Sequence, residues 1–176
     1  LGEASKNKKV KDLALFTPEL LDVPLLLRMI RELSENKLLD GLNNRMEIYS
    51  TWFRFKLKSA NPSADESWVD KCMDQLAEIS YQLMAADQQQ RFRDVEPGYE
   101  KSILEAKNFL LQEGKVAAWW SDILQQTIRC WQYGHPSFQE YFAGRYIQKN
   151  DGWKDIVLKN CGNEKWHEAI KILAGG

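Results

Sequence analysis

Cysteine is too scarce in this chain to build a disulfide scaffold. Among 176 residues there are three, Cys72, Cys130 and Cys161, with no CxxC pair and no Cys/His cluster at ligand spacing. That pattern fits reduced thiols in a cytoplasmic protein better than disulfides or a zinc site. There are only two histidines, His135 and His167, which restricts metal sites and catalytic triads alike. No apolar run approaches the ~20 residues that cross a bilayer, and no secretory signal opens the chain, so no membrane partner is expected. Neither sign of charge dominates: 24 Lys and Arg stand against 25 Asp and Glu, a net charge of −1. This excludes a global electrostatic pull toward nucleic acid or anionic lipid. A GxxxxGK[ST] loop is missing, so the chain has no phosphate cradle of its own, and HExxH is missing too, as is GxSxG. No catalytic residue and no metal ligand is assigned on this basis.

What is present points to a helical protein with a substantial core. Apolar residues make up 44% of the chain, enough for one ordinary domain or two small ones. Seven tryptophans, at 52, 68, 119, 120, 131, 153 and 166, imply extensive packing surfaces. The chain opens at Leu1 and closes on Ala174-Gly175-Gly176, which reads as a piece of a longer protein.

Residues 1–11 are lysine-rich, with no aromatic residue between the lysines, and read as a solvated lead-in. Thr17-Pro18 is a helix start that should stop near Val23, because Pro24 disfavours helix in the residue before it. A second helix starts at Pro24, and its Leu26, Met29, Ile30 and Leu33 follow the spacing of one buried face. Asp40-Gly41 marks a turn, Asn43 or Asn44 can cap the next helix, and Tyr49, Trp52 and Phe53 form its aromatic face. Asn61-Pro62-Ser63 breaks the pattern, and Ser63 with Glu66 has capping-box spacing. The long helix that follows carries Val69, Cys72, Leu76, Ile79 and Leu83 on one stripe. After the polar stretch 87–90 and Pro97-Gly98, helices are expected over Tyr99–Leu111 and Val116–Leu124. Thr127–Tyr133 alternates with a period of two and reads as a strand. A helix then starts at His135 or Ser137, with Phe138, Tyr141, Phe142 and Tyr146 inward, and ends at Asn150-Asp151-Gly152. A helix pair around 153–158 and 164–173 closes the chain. There is no internal repeat.

The most specific stretch is Gly134-His135-Pro136-Ser137-Phe138-Gln139-Glu140-Tyr141-Phe142-Ala143-Gly144-Arg145-Tyr146. It resembles the F-x-H-x-S-F-Q-E-Y-F-A-A signature near the end of the NACHT module of STAND-class ATPases, the relatives of NOD-like receptors and of bacterial anti-phage NTPases. Asp22-Val23-Pro24-Leu25-Leu26-Leu27 is similar to the family's N-P-L-L-L segment, though without its asparagine. Trp153-Lys154-Asp155-Ile156 with Ile172-Leu173-Ala174-Gly175 is a weaker third match. Gly144 stands where the family has alanine, a change expected only to loosen the helix by ~1 kcal/mol.

The resemblance implies a mainly α fold: a helical domain over residues 1–60, a winged-helix domain with a short β-hairpin over 61–150, and the start of a second helical domain over 151–176. It implies a P-loop NTPase core upstream in the same polypeptide, which would hold ATP or ADP with its magnesium; the isolated chain is expected to carry no cofactor. It assigns His135 to the β-phosphate of ADP and Pro24 to the face of the adenine ring. The intact protein would then be a cytoplasmic signalling or immune-defence ATPase that forms homo-oligomers. Residue chemistry offers plainer roles beside these: His135 as a cap on a strand-to-helix turn, Pro24 as a helix start. Two alternatives from other classes are a stand-alone winged-helix nucleic-acid binder and a helical protein-interaction module. The first is disfavoured because the expected helix 116–124 is preceded by a single lysine, Lys115, and carries no basic face.

Overall fold

The computed structural model describes residues 23–86, 91–93, 123–126 and 130–174. The expectations for residues 1–11, for the Thr17 helix start, for 87–90, for the helix at 99–111, for 116–122 and for Thr127–Arg129 lie outside them. The protein is mainly helical, as expected: six helices are described, α1 (Pro24–Glu35), α2 (Arg45–Ala60), α3 (Glu66–Ala85), α4 (Pro136–Lys149), α5 (Trp153–Asn160) and α6 (Glu164–Leu173). Three short strands accompany them, β1 (Arg91–Arg93), β2 (Leu124–Gln126) and β3 (Cys130–Tyr133). β3 lies in the middle and pairs antiparallel with both, Phe92 opposite Trp131 on one side and Leu124 opposite Tyr133 on the other. Two compact units divide within α2, between Phe55 and Lys56.

In the first unit, Pro24 supplies the first residue of α1, where its missing N–H costs nothing. Leu26, Met29, Ile30 and Leu33 are the buried face of that helix. α1 ends in a paired-bond stop: the amide of Leu38 donates to the Leu33 carbonyl at 2.9 Å and that of Lys37 to Ser34 at 3.1 Å. Lys37 takes the left-handed φ of 59° that this geometry demands. α2 is capped by Asn44, whose Oδ1 accepts from the amide of Glu47 at 2.9 Å, while the Glu47 carboxylate accepts from the amide of Asn43 at 2.6 Å. Tyr49, Trp52 and Phe53 are fully buried or nearly so. The Trp52 indole donates to Glu32 at 2.6 Å, which joins the two helices and satisfies a buried N–H.

In the second unit, the cap of α3 departs from the expected Ser63/Glu66 box. Asp65 is the N-cap and its carboxylate accepts from the Trp68 amide at 2.8 Å, while the Ser63 hydroxyl turns back to Asn61. A carboxylate at a helix start both satisfies an orphan amide and opposes the helix dipole, so it wins over a serine two residues earlier. α3 buries Val69, Cys72, Met73, Leu76, Ile79 and Leu83 against α4, which buries Phe138, Tyr141, Phe142, Ala143 and Ile147. Arg145 and Lys149 of α4 reach Asp74 of α3 at 3.1 and 2.7 Å. α6 packs on α4 as well, with Ala143, Ile147, Trp166 and Ala169 as a small core that Tyr81 and Met84 of α3 also join. Leu124 opens β2 and does not close a helix, because its backbone is committed to the ladder opposite Tyr133.

Gly144 corrects another expectation. A Cβ built there would stand 2.7 Å from the carbonyl oxygen of Ala169. The missing methyl is therefore a condition of the α4–α6 approach, and alanine at this position is not a mild alternative.

Candidate functional site

His135 stands where β3 gives way to α4. The strand fixes the approach: the Gly134 amide donates to the Ile123 carbonyl at 2.8 Å, one step beyond the Leu124–Tyr133 pair. Tyr133 anchors this end of the strand from inside. Its hydroxyl lies 2.6 Å from the Ser80 hydroxyl and donates to the Leu76 carbonyl at 3.2 Å, both on α3. Burial pushes the Tyr133 phenol well above the ordinary range, the Ser80 hydrogen bond opposing this only in part.

His135 itself is extended, with φ −149° and ψ 143°, and is the N-cap of α4. Pro136 follows at the first helical position, where it presents no N–H. The first amide of the helix in need of an acceptor is thus that of Ser137, and it donates to Nδ1 of His135 at 3.1 Å. Because Nδ1 accepts, the proton of the neutral ring sits on Nε2. The ring is half-buried and packs at 6.0 Å, tilted, against the buried ring of Phe138. Burial lowers its pKa below the ordinary 6.5, so the imidazole is neutral near pH 7. Among the described residues no group bonds Nε2.

The plainer role expected for His135 is therefore realised: it caps the helix. That role uses one nitrogen and leaves the other as an N–H donor with no partner among the described residues. A doubly protonated ring would lose the bond to Ser137.

Pro24 is exposed at the start of α1, preceded by Val23, which makes no side-chain cap. Its ring offers a rigid apolar surface. Pro24 belongs to the first unit and His135 to the second. Asp22, which opens the similar segment, lies outside the described residues.

The remaining residues of the motif serve the fold. Phe138, Tyr141 and Phe142 are core, and Gln139 is buried with them. Tyr146 is only half-buried and stacks on Tyr81 at 4.4 Å. Arg145 is taken up by Asp74 and, at 3.9 Å, Asp70. Among the described residues there is no group of three His, Cys, Asp or Glu side chains placed to hold a metal ion, and no helix long and apolar enough to cross a membrane. Sequence reasoning missed two partners of this site, the Ser137 amide and the Tyr133–Ser80–Leu76 anchor. The first was accessible, because a histidine before proline at a helix start leaves the next amide as the one to cap. The second joins residues 53 positions apart and has no local signal. The chain matches no protein-family model, no curated protein and no solved structure.

Proposed function

We propose that this chain is the nucleotide-sensing portion of a NACHT-type STAND ATPase, closing over ADP or ATP held by a P-loop core upstream in the same polypeptide. The observation that carries the reading is His135. It lies in the stretch that resembles the family signature, on a strand-to-helix junction, with Nδ1 spent on the helix and the Nε2–H of the neutral ring without a partner among the described residues. A phosphate oxygen suits that donor: the bond is charge-assisted on the acceptor side. In this reading residues 1–60 are the first helical domain, 61–150 the winged helix and 151–176 the start of the second helical domain. Pro24 packs its ring beside the adenine. Bound ADP joins the core to His135 and holds a closed state; exchange to ATP releases it and permits homo-oligomerisation in cytoplasmic defence or signalling. The magnesium and the hydrolytic chemistry belong to the core, and this chain alone is not an enzyme.

The test is ADP affinity of the polypeptide that carries both the core and this chain. A hydrogen bond to a charged acceptor is worth ~1.5–3 kcal/mol, so His135→Ala should weaken ADP roughly 10- to 100-fold and ATP by less. Equal ADP affinity in the two proteins would sink the proposal. So would salt-sensitive binding of duplex DNA by this chain, which the nucleic-acid alternative requires.

A further inference from the structure

Within the second unit, α3, α5 and α6 enclose a cleft of about 590 Å3, inside the ~300–1,000 Å3 range of small-molecule sites. One wall is apolar, with Tyr81 and Met84 from the end of α3, Ile156 from α5 and Trp166 from α6. The other is polar and carries Asp155 and Lys159 of α5. We infer that this cleft binds a small zwitterion with an apolar body, namely a free α-amino acid with an aromatic or large aliphatic side chain. The inference goes beyond the nucleotide reading and does not depend on it.

Trp166 is the first observation. It is only 3% exposed, and a buried indole N–H ordinarily finds an acceptor. Among the described residues this one has none, yet it is not among the sealed unpartnered atoms. The little of Trp166 that stays open therefore includes its donor, on a residue that lines the cleft. The second observation is the charge on α5. Asp155 and Lys159 stand one turn apart, acid before base, the order and spacing that favour a pair. Among the described residues their side chains bond neither each other nor any other group, so an anion and a cation lie side by side on the rim. Two amides add to this, each half spent on backbone. Asn160 donates to the Ile156 carbonyl at 2.8 Å and keeps its carboxamide oxygen; Asn163 accepts from the Lys165 amide at 3.1 Å and keeps its N–H groups. The cleft thus combines donors from Trp166, Lys159 and Asn163 with acceptors from Asp155 and Asn160. A simple anion would face Asp155, and a simple cation would face Lys159 and leave the indole unanswered. An α-amino acid carries both charges on one carbon and turns its side chain to the apolar wall.

The experiment uses this chain and titrates it with L-phenylalanine, L-leucine and L-tryptophan. 3-Phenylpropionate, which has no ammonium group, and phenethylamine, which has no carboxylate, are the one-charge probes. NMR follows the tryptophan indole N–H resonances, assigned through the backbone. At least one of the amino acids should shift the Trp166 resonance in a saturable way and leave in place that of Trp153, which does not line this cleft. The one-charge probes should bind roughly tenfold more weakly than L-phenylalanine. Lys159→Met should weaken L-phenylalanine and 3-phenylpropionate roughly tenfold and spare phenethylamine; Asp155→Asn should weaken L-phenylalanine and phenethylamine and spare 3-phenylpropionate. Both side chains are exposed, so the variants should keep the melting temperature of the unaltered protein. The absence of a saturable shift at Trp166 with all three amino acids would overturn the proposal. Binding that ignores both variants would place it elsewhere on the protein and overturn it equally. 3-Phenylpropionate binding as tightly as L-phenylalanine would make the ligand a simple anion and refute the zwitterion assignment.

Discussion

Replacing Gly144 with alanine tests whether the α4–α6 approach is set by the absence of one methyl group. The added Cβ would meet the Ala169 carbonyl oxygen at 2.7 Å. A Cβ has no rotamer and the Ala169 carbonyl is helix backbone, so neither can turn aside. Ordinary contact begins at 3.4 Å, which requires α4 and α6 to part by roughly 0.7 Å, a gap that forfeits about a quarter to a half of the dispersion energy between the surfaces it opens. Overpacking of this kind costs ~1–3 kcal/mol. Alanine returns ~1 kcal/mol through its better helix propensity, which leaves a net loss of about 1 kcal/mol. Gly162→Ala is the matched control. Nothing lies within 4 Å of a Cβ there and its φ is not left-handed, so the substitution should be neutral or should stabilise by a few tenths of a kcal/mol to ~1 kcal/mol. Urea unfolding followed by tryptophan fluorescence reads both, because Trp166 sits in the core that α4 and α6 share. Gly144→Ala should lower the midpoint without changing the slope and lower the melting temperature by about 3–5 °C. A Gly144→Ala protein as stable as Gly162→Ala would show that the close approach is not real and would refute the reasoning.

Lys37→Gly should stabilise the first unit by ~1 kcal/mol, since lysine at φ 59° is held in a conformation that glycine adopts without steric cost; slower exchange of the Leu38 amide checks it, and faster exchange contradicts it. Tyr133→Phe should cost ~1–2 kcal/mol in chemical denaturation by removing the link to Ser80 and Leu76. In alkaline titration of the native protein the Tyr133 phenol should remain protonated through the ordinary tyrosine range near 10, because burial raises its pKa; a normal titration would contradict the buried anchor. His135 gives a pH dependence of known sign. Burial lowers its folded pKa below the unfolded 6.5, so its contribution to stability is complete above 6.5 and is lost as pH falls from there through the folded value. Comparison with His135→Asn isolates that slope, and an equal acid sensitivity of both proteins would contradict it.

The helix faces were legible because burial imposes the period. Leu26, Met29, Ile30 and Leu33 on α1, the stripe from Val69 to Leu83 on α3 and the cluster Phe138, Tyr141 and Phe142 on α4 are buried as the spacing predicts. The stop of α4 at Asn150 and the two closing helices were likewise carried by local turn chemistry. What failed was decided by neighbours in space. Leu124 suits a helix or a strand, and only its pairing with Tyr133 selects the strand. Ser63 and Asp65 are both acceptable caps, and the start of the α3 backbone chooses between them. The meaning of Gly144 depends on Ala169, 25 positions away, and no periodicity reports a carbonyl of another helix. At the site, residue type and order pointed to His135 and to its role as the cap of α4. They did not say which nitrogen makes the cap, because that depends on where the Ser137 amide points.

Tyr133, two residues before the capping histidine, is bolted to α3 through Ser80 and Leu76, and Arg145 and Lys149, in the later turns of α4, grip the same helix at Asp74. α4 is thus clamped to α3 near both extremities. The contacts before and late in α4 all converge on one stretch of α3, between Asp74 and Ser80, so a change to that stretch would be felt at each end of α4.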